Sequence, residues 1–307
     1  MATRDLERLQ RIAGRGLDRL EAAVEREILQ VYNNVLESIR KEMMDVYDKY
    51  SVAGELTRAE MTKYNRLSAL EKRLNTIVGQ GTQKTRAAIG RLTRGAYNES
   101  YFRHAWAIEQ HIGVGLNWGV LRAEDVVAAV ANPLREIAED RLRTLGRERI
   151  RRVVAEGITR GDSLPKMSRD LRTAIVAKGR ESLAYNAMRV ARTEAGRART
   201  LGQLATYEKA EEQGVRMTEI WQATLDDRTR DSHGDMDGKE KQEQGFWMPS
   251  IASWVEGPRL TGVPEEDINC RCRVVAQVDG LPEPILRRTR DEGIVPYQTY
   301  DEWSVGR

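Results

Sequence analysis

Residues 214–239 read GVRMTEIWQATLDDRTRDSHGDMDGK, and within this stretch the chain changes its periodicity. Val215, Met217, Trp221 and Ala223 keep to every second position, with Glu219 the one residue that interrupts the apolar series. A period of two belongs to a half-buried strand, not a helix. Further on, Cys272, Val274, Ala276 and Val278 alternate with Arg271, Arg273 and Gln277 in the same way. The two segments are expected to pair as antiparallel strands. Pairing would bring the C-x-C at Cys270 and Cys272 back beside the Asp-rich turn that follows Leu225.

Upstream of this stretch the pattern is helical. From Leu6 through Leu9, Ala13, Leu17 and Leu20 to Met43 and Val46, the apolar positions make eleven steps over 40 residues, about 3.6 per step. Gly14 and Gly16 weaken the first turns, at about 1 kcal/mol each against Ala, so the secure part is expected to start near Leu17. Thr57 and Glu60 have the spacing of a capping box and should open a second helix that Gly79 and Gly81 end. A third helical tract follows to about Gln110. Asn132 and Pro133 supply an N-cap and an N1 proline for a helix to about Glu156. Residues 163–165 launch a short helix, and a longer one spans roughly residues 181–212, with Gly214 placed for its C-terminal cap.

The expected fold is mainly α with a small α+β C-terminal module: long N-terminal helices and a short antiparallel β-hairpin or sheet near the C-terminus. The expected organisation is an elongated helical arm over residues 1–120, a helical plus α+β module over 121–280, and an extended arm over 281–307. In that last segment Tyr297, Tyr300 and Trp303 are spaced to anchor on another surface.

Fifty basic and 47 acidic side chains leave a net charge of +3, too little for a strong overall pull toward nucleic acid or an anionic membrane. The longest apolar run, residues 126–131, is far short of the roughly 20 residues that span a bilayer. The charged N-terminal stretch lacks the apolar core of a signal peptide, so a cytoplasmic site of synthesis is expected. Two cysteines one residue apart would make a strained disulfide. They are read as thiols or metal ligands.

The crowded centre leaves several chemistries open. His233, Cys270, Cys272 and Asp227 could supply the four donors of a zinc site. His233 oriented by Asp227 or Asp231, with Arg228 or Arg230 beside an anion, would suit a metal-dependent nuclease-like enzyme. The third reading has no cofactor: the aspartates bond backbone amides of their own turn and the arginines pair with them. Elsewhere, His104 and His111 are read as packing residues. Glu194 is read as an ion-pair partner of Arg192 or Arg197. The arginines at 141, 143, 147, 149, 151 and 152 alternate with carboxylates as in a solvated, ion-paired face, with DNA contact as the other reading.

The run W-x-A-x-x-D-D-R-T-R-x-x-H-x-x-x-x-G-K, then G-F-W at 245–247 and N-C-R-C-R-V at 269–274, resembles the signature of the phage head morphogenesis family of minor head proteins. GITRGDSLPKMSRDLR and RVARTEAGRART resemble the helical segments that precede that signature, so the likeness covers about residues 150–278. It implies a non-enzymatic virion component in the head interior or at the portal vertex, present in the host cytoplasm during assembly. It implies binding to the portal protein, with major capsid or scaffolding protein and phage DNA as further contacts. It also implies a part in procapsid assembly and in DNA packaging or ejection, and no membrane contact before infection. Some relatives place cysteines in the Asp-rich turn, where this chain has Arg230 and His233. Many carry Pro-Pro and a histidine before the C-x-C, where this chain has residues 263–267, VPEED.

Overall fold

The computed structural model describes residues 6–180, 182–280, 286–288 and 294–296. The fold is mainly helical, with long N-terminal helices and short antiparallel strands near the C-terminus. The first helix, α1, runs Leu6–Tyr50 and passes through Gly14 and Gly16 instead of starting near Leu17. Leu6 and Leu9 are buried in a cluster with Ala107, Ile108 and Tyr207, and this packing offsets the two glycine penalties.

Thr57 caps the next helix as its spacing suggests, accepting from the Glu60 amide at 3.3 Å. The Glu60 carboxylate does not complete the capping box but turns to Lys63 and Arg66. Tyr64 and Asn65 then take left-handed φ values of 52° and 55°, so α2 (Arg58–Thr62) is barely more than a turn. A new helix, α3 (Arg66–Ile112), runs unbroken through Gly79 and Gly81, where a stop was expected. A Cβ on Gly81 would lie 2.4 Å from Cγ2 of Val35 on α1. Gly81 is there for close helix packing.

Helix α4 (Ala123–Ala129) precedes α5 (Pro133–Arg160), whose Asn132 cap accepts from the Leu134 amide at 3.1 Å. Helix α5 ends at Gly161, in the left-handed conformation at φ 69°, a turn later than expected. Helices α6 (Leu164–Val176) and α7 (Leu183–Glu211) follow.

The chain forms two compact units, each discontinuous in sequence. One comprises Ala22–Arg91 and Asn132–Ala191. Its interior is an apolar ladder: Ile28, Ile39 and Met43 of α1, Leu70 and Leu74 of α3, Ile150 and Val154 of α5, and Leu171 and Ile175 of α6 are all buried. A buried carboxylate, Glu139, lies beside Arg86 at 2.8 Å and Arg135 at 3.6 Å. Among the expected surface arginines, Arg143 pairs with Asp140 and Arg151 with Glu71, each at 3.3 Å.

The other unit comprises Met1–Glu21, Leu92–Ala131 and Arg192–Arg307. Here β1 (Met217–Gln222) pairs antiparallel with β4 (Arg273–Val278), placing Met217 opposite Val278 and Trp221 opposite Val274. Between them lie the one-turn helix α8 (Asp231–Gly234), the paired strands β2 (Phe246–Met248) and β3 (Ser253–Val255), and the one-turn helix α9 (Pro264–Asp267). Trp221, fully buried, meets Phe246 edge-on at 5.5 Å and His233 at 6.0 Å. Two short strands, β5 (Leu286–Arg288) and β6 (Ile294–Pro296), pair antiparallel near the end of the chain. Tyr297, Tyr300 and Trp303 lie outside the described residues. Among the described residues, no helix is long and apolar enough to cross a membrane.

Candidate functional site

The polar turn after β1 is closed by the backbone at its base. The Trp221 amide donates to the Lys239 carbonyl and the Gly238 amide to the Trp221 carbonyl, both at 2.8 Å. Inside the turn, Asp226 accepts from the Arg228 amide at 2.9 Å, and Asp237 accepts from the Ala223 amide at 2.9 Å. These are the local bonds that short acidic side chains make in turns. Arg271 grips Asp226 with two guanidinium nitrogens, one at 2.5 Å from Oδ1, and holds that carboxyl well below the usual carboxylate range. Arg230 reaches the other way and donates to the Ile268 carbonyl at 2.5 Å, binding the turn to the end of α9.

These clamps bring α8 against the start of β4. His233, in α8, is buried and directs Nδ1 at Cys272 Sγ, 3.2 Å away, with Cys270 Sγ at 3.6 Å. Two residues separated by one in extended chain point to the same side, which is why both thiols face one imidazole. The other ring nitrogen, Nε2, donates to Oε2 of Glu266 at 3.0 Å. Burial would raise the Glu266 carboxyl, but the Ser232 and Ser250 hydroxyls, each at 2.9 Å, and the His233 imidazole together hold it below its ordinary value. A carboxylate at Nε2 fixes that nitrogen as the N–H and leaves Nδ1 for the sulfurs.

Cys270, hydrogen-bonded by Cys272, is drawn well below the ordinary thiol value, and Cys272 is pushed up. Arg259, with φ 66°, donates to the Cys270 carbonyl at 2.9 Å and to the Gly196 carbonyl at 3.3 Å. A Cβ on Gly196 would lie 2.5 Å from the Arg259 Nε, so this clamp requires glycine there. Thr224, Arg228, Thr229 and Asn269 complete the wall of a small solvent-open pocket over His233 and the cysteines.

Of the four donors expected from the sequence, His233, Cys270 and Cys272 come together, with ligand atoms all within 4.8 Å of one another. Asp227 does not join them: it is exposed, and so is Asp231. Both ring nitrogens of His233 are already engaged, one by Glu266 and the other by thiols, so neither aspartate orients it as a general base would require. Glu266, Arg230 and Arg259 have structural roles that the sequence reading did not assign. Glu266 was visible only as part of VPEED at residues 263–267.

Outside this cluster, His104 donates from Nδ1 to the Ser100 carbonyl at 2.7 Å, and burial pushes its pKa down to about 4. His111 is buried. Arg197 donates to the Val130 and Ala131 carbonyls, at 3.3 and 3.1 Å. Glu194 is buried in α7.

The family model for phage Mu protein F-like proteins matches residues 148–275, a segment that contains His233, Glu266, Cys270 and Cys272. The chain is also 29% identical over 299 residues to a minor head protein of Bacillus phage SPP1, covering 94% of each. Both likenesses support a phage head morphogenesis family. It is 26% identical to a protein of Enterococcus faecalis named as an NAD(+)–arginine ADP-ribosyltransferase, over 92% of this chain and 57% of that one. An uncharacterised protein of Haemophilus influenzae is 24% identical over 86% of this chain and 49% of its own length. The chain thus spans nearly all of the phage relative and about half of the two bacterial ones. No solved structure matches it.

Proposed function

We propose that this protein is a minor head protein of a bacteriophage, a structural component of the virion that binds the portal during procapsid assembly and assists DNA packaging or ejection. The observation that carries the reading is the likeness to the SPP1 minor head protein, which covers 94% of both chains and not one shared module. In this reading the N-terminal helices dock on the portal, with major capsid or scaffolding protein and phage DNA as secondary contacts. The protein acts without catalysis.

Purified chain is expected to co-sediment with portal rings and to be found in purified virions by mass spectrometry. Absence from both would overturn the proposal. The arginine ADP-ribosyltransferase relative makes a second reading testable: incubation with NAD+ and an arginine substrate is expected to release no nicotinamide above the blank.

A further inference from the structure

We propose that His233, Cys270 and Cys272 bind one zinc ion, with Glu266 as the group that orients the imidazole and with water from the open pocket in the fourth position. The donor set is of the kind zinc takes, two thiolates and an imidazole nitrogen. Their spacing fits as well. In a tetrahedral site with ordinary Zn–S and Zn–N bonds, a sulfur and a nitrogen ligand stand about 3.5 Å apart. The two N···S distances here are 3.2 and 3.6 Å.

The surroundings point the same way. Metal-bound histidines commonly donate their remote N–H to a carboxylate, which fixes the tautomer and raises the basicity of the ligating nitrogen. Glu266 does this for His233, and is itself fixed by two serine hydroxyls, one on each oxygen. Two thiolates and a neutral imidazole also neutralise a divalent cation, so the buried cluster would carry no net charge once loaded. On binding, the thiol protons leave to solvent and the sulfur and Nδ1 lone pairs form the metal bonds. Among the described residues no carboxylate joins the three donors in the cluster, and Thr224, Arg228, Thr229 and Asn269 line the opening above it. The fourth position therefore faces solvent, and the zinc would staple α8 to the start of β4.

The test uses the full-length chain with its thiols reduced. Metal analysis after purification in zinc-containing buffer is expected to give one zinc per chain. The metal-free protein, titrated with cobalt(II), should develop a sulfur-to-cobalt charge-transfer band and tetrahedral visible bands that saturate at one equivalent. Glu266→Gln should keep the stoichiometry and lower the affinity about 10- to 100-fold. Asp227→Ala should leave affinity unchanged, and a loss of metal in that variant would overturn the ligand set. Cys272→Ser should abolish the charge-transfer band. Should that variant fail to fold, alkylation of the wild-type chain serves instead: both cysteines protected with zinc and both reactive after chelation supports the site, and equal reactivity in the two states overturns it. Failure of the metal-free wild-type chain to take up zinc or cobalt in equilibrium dialysis at micromolar metal overturns the proposal outright.

Discussion

The apolar ladder of Ala22–Arg91 and Asn132–Ala191 and the polar centre between β1 and β4 hold their backbones in different ways. In the ladder, helices of 13 to 47 residues bury one face, and the contacts repeat along each axis. Between β1 and β4, α8 and α9 have four residues each and β2 and β3 three, too short for propensity or repeated burial to sustain them. Individual bonds do the work there: Arg230 to the Ile268 carbonyl, Arg271 to Asp226, Arg259 to the Cys270 carbonyl, and Glu266 to two serines and a histidine. A long helix tolerates a wrong residue almost anywhere along its exposed face. A centre of this kind depends on a few named side chains grouped around one apolar anchor.

That anchor is Trp221, and Trp221→Ala offers the largest test of the contrast. It should cost about 3–5 kcal/mol in chemical denaturation, with amide protection lost first in β1 and β4. A cost below about 1 kcal/mol would mean that the polar bonds hold the centre without an apolar anchor.

A smaller effect should come from pH through His104, in the same unit. Burial keeps this imidazole neutral down to about pH 4, against an ordinary value of 6.5, with Arg199 and Arg273 adding to the effect. Below pH 6.5 the unfolded chain takes up a proton that the folded chain refuses until about pH 4. Stability therefore falls as pH drops through that window, by at most about 3 kcal/mol, and is insensitive to this group above it. The difference between wild type and His104→Gln, followed by urea denaturation from pH 7 to 4, should trace that loss. A constant difference would show that His104 is not held neutral.

The ladder is tested by Gly81→Ala, which puts a methyl 2.4 Å from the Val35 side chain and should cost about 1–3 kcal/mol by overpacking. Adding Val35→Ala should recover part of the loss. A neutral or stabilising Gly81→Ala would show that Val35 does not require glycine at this position.

Much of the fold was legible in advance. The apolar period of α1 is buried at Ile28, Ile39, Met43 and Val46 as its spacing requires, and the switch to a period of two at Val215 marks the strand that pairs with β4. Asn132 stands at the start of α5, where capping chemistry puts such a residue. Gly14, Gly16 and Gly81 were weighed by intrinsic propensity, whereas burial of Leu6 and Leu9, and the approach of Val35 to Gly81, reverse that local preference. The left-handed pair Tyr64 and Asn65 carried no glycine to announce the break before α3.

At the candidate site the division is sharper. The sequence by itself determined that the chain is mainly helical, that it turns to strand near Val215, and that an imidazole and two thiols fall where strand pairing could unite them. Only the tertiary structure decided which carboxylate meets His233. Asp227 is nearer in sequence and exposed, while Glu266, 33 residues away, lies at 3.0 Å. The physical reason is that a period records which face of an element is buried and nothing about what that face meets. The partner of His233 depends on where the chain closes between α8 and α9, and that closure is set by Arg230 reaching carbonyls whose positions no local pattern encodes.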